Sequence, residues 1–420
     1  MSEQDSLKDE KQESRMGTRC HICTGCGRCV SGQEGLQILA AGSNLAEKCN
    51  LVSECSPAKE GGEYFIAADI GTTTIAMQLY EPDGRVLDTF ATVNPQTHYG
   101  ADVLSRIQAA GNPETAQKLQ EMVREVLHQG IERFRSCMEE NGVSLRMEEN
   151  GVPLRMVIAA NTTMVYLLMG YDTGELGKAP FHATHLEAID TEMDGVPCHI
   201  FPGYSAFVGG DIAAGVLACG MGESKQLTLL IDLGTNGEMV LGNSEKMLAC
   251  STAAGPAFEG GVNRGVWGAD MVSLLARLRE TGILDETGLL EDPYFEQGVR
   301  IGDVLVTQES VRAIQLAKGA IMAGVHILTR EYGIAMEQID RVVLAGGFGY
   351  FLDPKAAAAI RLLPEELQEK TQTGGNTALA GVLRWERRRL EQQKEQQKVQ
   401  VINLAECEGF QDLYLDSMNF

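Results

Sequence analysis

Two aspartates end apolar runs in the same way. In Phe65-Ile-Ala-Ala-Asp69-Ile-Gly71-Thr72-Thr73-Thr74, and again in Leu229-Leu-Ile-Asp232-Leu-Gly234-Thr235-Asn236-Gly237-Glu238, an apolar stretch reaches Asp and then turns through glycine and hydroxyl residues. A glycine-bearing strand–turn–strand lets backbone N–H groups close on phosphate oxygens. The carboxylate at the strand end can hold Mg²⁺, usually through water, because that ion keeps much of its hydration shell. One such loop is also what an ordinary hairpin turn looks like. Two, each after an apolar strand, point to a duplicated fold that grips a nucleotide from both sides of a cleft.

Further glycine-rich segments fit the same chemistry. Val342-Val-Leu-Ala-Gly346-Gly347-Phe348-Gly349 is a strand ending in paired glycines, which leaves room for a flat base and ribose against the backbone. Gly255-Pro256-Ala257-Phe258-Glu259-Gly260-Gly261 is another such loop on the same half. Asp211, in Gly209-Gly210-Asp211-Ile-Ala-Ala-Gly215, stands just ahead of an expected helix. There it either caps the helix or orients the group that attacks a γ-phosphate. Other phosphate motifs are missing: Gly177-Lys178 is followed by Ala179, not by the Ser or Thr of a P-loop, and no G-x-G-x-x-G opens a helix after a strand. His182 and His185 lack a third ligand at convincing spacing.

A second kind of chemistry is concentrated at the N-terminus. Of 11 cysteines, six (Cys20, Cys23, Cys26, Cys29, Cys49 and Cys55) fall in the first 60 residues. Cys23-Thr-Gly-Cys26-Gly-Arg-Cys29 has the C-x2-C-x2-C spacing that reaches three corners of an iron–sulfur cluster. Cys55 is the preferred fourth ligand, with Cys49 and Cys20 as rivals. One [4Fe–4S] cluster fits best; [2Fe–2S] stays open, and structural zinc is the competing metal, although zinc favours two separate C-x2-C arms. Cys137, Cys198, Cys219, Cys250 and Cys407 lie in apolar or mixed contexts and read as inert core thiols.

Composition narrows the setting. Lys and Arg total 35 against 58 Asp and Glu, a formal net charge of −23. That argues against nucleic-acid or anionic-membrane surfaces, which call for a basic footprint. No run of 18 or more apolar residues predicts a membrane span, and the polar first 20 residues do not read as a secretory signal, so a cytoplasmic location is expected.

The elements that must position these residues alternate, which predicts an α/β fold. Strands are expected at Tyr64–Ala68, Ile75–Tyr80, Met156–Ala160, Leu227–Ile231, Glu238–Leu241 and Arg341–Ala345. Helical periodicity covers Ala101–Ala110, Pro113–Cys137, Met164–Met169, Asp211–Cys219, Met271–Glu280, Gln308–Tyr332 and Thr377–Gln397. Within the last, Trp385–Gln397 is rich in Arg, Glu and Gln and reads as a solvated face. The expected organisation is a disordered tail (1–19), a cluster-binding segment (20–60), and two α/β subdomains (63–223 and 224–420) whose motifs resemble those of actin-like ATPases. A nine-residue tandem copy, Met138–Arg146 and Met147–Arg155, reads as a lengthened surface loop.

With these residues in hand, the chain resembles the superfamily of acetate and sugar kinases, heat-shock chaperone ATPases and actin. In that likeness Asp69–Thr74 is the first phosphate motif, Asp232–Gly237 the second and Ala345–Gly349 the adenosine motif, and Asp211 stands where the kinases keep a catalytic carboxylate. Within the superfamily it is similar to the ATP-dependent reductive activators of corrinoid proteins. Asp-Ile-Gly-Thr-Thr-Thr, Asp-Leu-Gly-Thr-Asn-Gly-Glu, Ala-Gly-Pro-Ala-Phe-Glu-Gly, Ala-Gly-Gly-Phe-Gly, Gly375-Asn376-Thr377 and the tail Phe410-Gln-Asp…Met418-Asn-Phe420 carry the likeness over roughly residues 63–420. Many relatives begin with a longer plant-type ferredoxin domain, whereas this chain has the short cysteine run.

The resemblance implies ATP and Mg²⁺ in the cleft and an iron–sulfur electron carrier. It also implies a corrinoid protein of a methyltransferase system as partner and a low-potential electron donor, with a homodimer allowed. The implied task is the return of Co(II) to Co(I), driven by ATP. An activator of a 2-hydroxyacyl-CoA dehydratase, a small-molecule kinase and a chaperone-like ATP-dependent binding module are the alternatives. The kinase and the binding module have no need of six N-terminal cysteines, and the dehydratase activator places its cysteines inside the ATPase domain.

Overall fold

The computed structural model describes residues 63–143, 153–255, 257, 268–302, 304–349, 351–390 and 398–420. The cysteine segment, half of the tandem copy and residues 391–397 lie outside them.

The described chain builds two six-stranded sheets. The first takes β1 (Tyr64–Ile70), β2 (Thr74–Tyr80), β3 (Val86–Val93), β4 (Leu154–Ala160), β5 (Ile189–Met193) and β6 (Val196–Ile200) in the order β3-β2-β1-β4-β6-β5. Next come β7 (Thr228–Leu233), β8 (Gly237–Gly242), β9 (Met247–Thr252), a separate hairpin β10 (Val299–Ile301) and β11 (Val304–Val306), then β12 (Arg341–Ala345), β13 (Thr371–Gly375) and β14 (Gln400–Val401). The second sheet runs β13-β12-β7-β8-β9-β14.

Five strands of each sheet share one plan. In β3-β2-β1-β4-β6 the first two pairings are antiparallel and the last two parallel, and β9-β8-β7-β12-β13 repeats that order and direction. The central strands β1, β4, β7 and β12 are covered on both faces. That is why they read in the sequence as nearly unbroken apolar runs. Edge strands carry weaker signals: β13 is Thr-Gln-Thr-Gly-Gly and β5 is Ile-Asp-Thr-Glu-Met.

Each half has its own outer core. Helix Pro113–Glu140, capped by Asn112 and opened by Pro113, buries Leu119, Val123, Leu127, Ile131 and Phe134 against the first sheet. Helices Gly268–Glu280 and Gln308–Tyr332 cover the second. The latter is long and apolar enough to cross a membrane, but 78% of its apolar window is buried inside the protein, as befits a core helix.

The two helices between the sheets matter most for the site. Helix Gly210–Ala218 turns Ala213, Ala214 and Ala218 toward the first sheet and Ile212 and Val216 toward the second. Helix Thr377–Leu390, although it follows the second sheet in sequence, packs Leu379, Val382 and Leu383 on the first. The two helices meet backbone to backbone: a Cβ at Gly381 would lie 1.9 Å from the Ala214 carbonyl oxygen.

Two expectations change. Trp385 and Glu386 do not form a solvated face. Trp385 stacks on His199 at 4.5 Å, and Glu386 is buried between Arg155 and Arg389, because this part of the helix lies on the first sheet. Of the five thiols read as core, Cys198, Cys219 and Cys250 are buried, and burial pushes the first two up to about 12. Cys137 and Cys407 are partly exposed, since one lies on the outer face of its helix and the other in the C-terminal connection.

Candidate functional site

The duplicated plan brings matching positions of the two halves to one seam. In the first half, β1 carries Asp69 and turns through Gly71, Thr72 and Thr73 into Thr74 at the start of β2; the Gly71 amide donates to the Thr74 carbonyl at 2.9 Å. In the second, β7 carries Asp232 and turns through Gly234, Thr235 and Asn236 into Gly237 of β8, with the Gly234 amide donating to the Asn236 carbonyl at 3.0 Å. Beside Asp69, parallel β4 ends at Ala160 and hands on to Asn161, whose side chain donates to the Thr72 hydroxyl at 3.2 Å and caps helix Thr162–Met169. Beside Asp232, parallel β12 ends at Ala345 and hands on to Gly346. Gly346 has a φ of +82°, and a Cβ there would sit 2.5 Å from Asp232 Oδ1, so only glycine fits.

The fifth strand of each half leads to a helix whose start reaches toward the other half's aspartate. After β13, Asn376 accepts the Leu379 amide and donates its own amide to Asp69 Oδ2 at 2.7 Å. After β6, helix Gly210–Ala218 begins with Asp211, whose negative charge acts on both Asp232 and Asp69. Gly209 is the N-cap residue, and Asp211, inside the first turn, accepts the Ile212 amide at 2.8 Å. The capping role considered for Asp211 is therefore not the one it has. The scaffold is symmetric but the chemistry is not: an amide meets a carboxylate on one side and a carboxylate faces a carboxylate on the other.

Glu238, directly across β8 from Asp232, completes the group. Burial, followed by the Asp211 and Asp69 charges, pushes Asp232 up to about 8. Burial and then Asp211 raise Asp69 to about 7 against the pull of the Asn376 hydrogen bond. Burial raises Asp211 to about 6, and Glu238 rises well above the usual carboxylate range through burial and the charges of Asp211 and Asp232. Carboxylates that raise one another in this way are relieved by a nearby dication. Among the described residues no set of three or more His, Cys, Asp or Glu is spaced to grip a metal directly. Carboxylate oxygens are the hard donors that suit Mg²⁺, which usually keeps several of its own waters.

A pH dependence follows. Each of these carboxyls holds its proton more tightly folded than unfolded, so stability falls as pH rises above the ordinary carboxylate range, for Asp232 from 3.8 toward about 8 and for Asp69 toward about 7. Without nucleotide and metal, the wild-type Tm is expected to drop more between pH 6 and 8.5 than that of Asp232→Asn, the difference running through the titration near about 8. Equal slopes in the two proteins would exclude the like-charge cluster.

Thr235 is buried and Gly347 exposed; the Phe348 side chain falls outside the description. Gly255 has a φ of +75° with open space where a Cβ would be. His185 stacks on Tyr171 at 4.0 Å and His182 is exposed. The six N-terminal cysteines lie outside the described residues. Glu238 and Asn376 stand inside the sequence motifs, but no local signal points to their roles, because their partners are set by strand register and by a helix returning from the other half.

Residues 64–224 match the RACo middle region, and residues 226–264 and 262–420 match the C-terminal domain of RACo, the ASKHA domain. The corrinoid activation enzyme RamQ of Eubacterium limosum is 29% identical over 418 residues, spanning 84% of this chain and 68% of the relative. The [Co(II) methylated amine-specific corrinoid protein] reductase of Methanosarcina barkeri is 22% identical over 422 residues, 85% of this chain and 77% of its own. A solved reductive activator for corrinoid, iron-sulfur protein aligns with a TM-score of 0.71 at 29% identity, covering 86% of this chain and 67% of that one.

Proposed function

We propose that this chain, which belongs to the RACo family, is an ATP-dependent activator that returns the cobalt of a corrinoid protein from Co(II) to Co(I). The observation that carries this reading is the convergence of Asp69, Asp211 and Asp232 at the seam of two halves, in a chain similar throughout residues 64–420 to activators of corrinoid proteins.

The two turns after Asp69 and Asp232 take the phosphates of ATP from opposite sides. Asp69, Asp232 and Glu238 would hold the water shell of a Mg²⁺ that neutralises phosphate charge. Asp211, on the helix between the sheets, orients the water that attacks the γ-phosphate. Gly346, without a side chain, lets the start of the adenosine motif press against Asp232. Because the loops belong to different halves, ATP and ADP bind different relative positions of those halves. Only that difference in affinity lets nucleotide drive a conformational change.

The redox half of the function rests on the cysteines. Cys23, Cys26 and Cys29, with Cys55 or its rivals Cys49 and Cys20, would hold one [4Fe–4S] cluster, which supplies the single electron that takes Co(II) to Co(I). A low-potential donor restores that electron. Thiolate ligation of this kind agrees with a cytoplasmic, reducing setting.

Anaerobic purification tests this directly. The protein is expected to be brown, to contain iron, and to generate Co(I) absorbance in a corrinoid protein when ATP and a low-potential reductant are both present. Cys26→Ser is expected to lose iron and Co(I) formation while keeping ATP binding. A colourless protein that phosphorylates a sugar or a carboxylic acid would refute the reading.

A further inference from the structure

The first phosphate turn is held from behind by a buried cation. Arg106 lies in helix Val103–Ala110, which Asp102 caps through a box with Ser105, and its side chain is fully buried. Its guanidinium donates to the Thr72 carbonyl at 2.5 Å, to the Gly100 carbonyl at 3.0 Å and to Gln96 Oε1 at 3.4 Å. Asn94, at the end of β3, takes the neighbouring carbonyls: its side chain donates to Gly71 at 2.9 Å and its backbone amide to Thr73 at 2.8 Å. Arg106 and Asn94 both also approach Met164 Sδ, so all three carbonyls converge on one small cluster.

A peptide unit points its C=O and its N–H in opposite directions. When the carbonyls of Gly71, Thr72 and Thr73 are all drawn to that cluster, the N–H groups of Thr72, Thr73 and Thr74 face away from it. The turn is thereby set as an anion cradle before any ligand arrives. A guanidinium stays charged wherever it is buried and pays heavily in lost hydration, so packing alone does not explain its choice. At the second turn the Gly237 carbonyl is held by the Thr252 hydroxyl at 3.2 Å, a neutral group.

We infer that Arg106 is the positioning residue of the first phosphate loop, fixing its peptide planes so that the amides of Thr72, Thr73 and Thr74 receive the phosphates of ATP. This rests on the nucleotide reading of the cleft and adds to it the part that presets one of its two grips.

Calorimetric affinities of the full chain for ATP, ADP and adenosine test the inference. Arg106→Met is expected to weaken ATP and ADP by ~10-fold or more, with adenosine changed less than ~2-fold; tenfold is about 1.4 kcal/mol. Arg106→Lys keeps the charge but loses the fork and should fall between, with the loss in KM for ATP and kcat nearly unchanged. Should Arg106→Met not fold, Arg106→Lys and Asn94→Asp carry the same comparison. Wild-type ATP affinity in the folded variants overturns the inference, as does equal weakening of ATP and adenosine. A wild-type protein that binds no ATP at all refutes the nucleotide reading instead.

Discussion

Asp232→Ala is expected to lower ATP turnover by ~10³-fold, about 4 kcal/mol of barrier. Asp232 ends the central strand of the second half, opposes Glu238 across the sheet, and is so close to Gly346 that no side chain fits between. Its carboxylate is held at about 8 by burial and by the charges of Asp211 and Asp69, so a dication gains more there than at an ordinary surface aspartate. On the proposed reading, removing it would take away one wall of a Mg²⁺ site and leave nucleotide gripped from one side. Asp211→Asn is the informative contrast. It should keep ATP affinity and slow hydrolysis, because it removes the group proposed to orient water and leaves both turns intact. Steady-state phosphate release with matched affinity measurements checks both. Wild-type turnover in Asp232→Ala would remove the second turn from the site.

Gly381→Val is expected to cost about 3 kcal/mol of stability or more. At Gly381 the two central helices touch main chain to main chain, and even a single carbon there would lie 1.9 Å from the Ala214 oxygen and 2.4 Å from its carbonyl carbon. Backbone cannot rotate away as a side chain does, so the helices must separate. Separation uncovers Leu379, Val382 and Leu383 on one side and shifts Asp211 and Asn376 at the helix starts. Chemical denaturation is expected to show a lower midpoint. Where the variant still folds, ATP affinity should fall with it; an unchanged midpoint would mean that the helices do not pack as described.

Much of the fold was legible because the central strands are buried on both faces. Arg341–Ala345 and Gln308–Tyr332 were read to the residue, since unbroken apolar runs and helical periodicity do not depend on distant neighbours. Edge strands such as β13 and β14 were missed, because Thr-Gln-Thr-Gly-Gly becomes a strand only beside β12, and Gln400–Val401 only beside β9. In the candidate site, the residues fixed by local motif were legible: Asp69, Asp232 and their turns. Residues acting across the fold were not. Asn376 meets Asp69 across 307 positions of sequence, and Arg106 meets Thr72 across 34. No spacing rule points to either pairing. Trp385 and Glu386 were misread for a related reason, because a charged helix face looks solvated until the sheet it lies on is known.

One helix touches both ends of this system. Thr377–Leu390 begins at Asn376, bonded to Asp69, and near its other end Arg389 pairs with Glu63 at 3.1 Å and with the buried Glu386. Its 14 residues at about 1.5 Å each make a rod of roughly 21 Å. Glu63 immediately precedes β1 and Asp69 lies near that strand's far end, so the rod braces both ends of one strand and ties the residue at which 1–62 join the described chain to the aspartate at the seam.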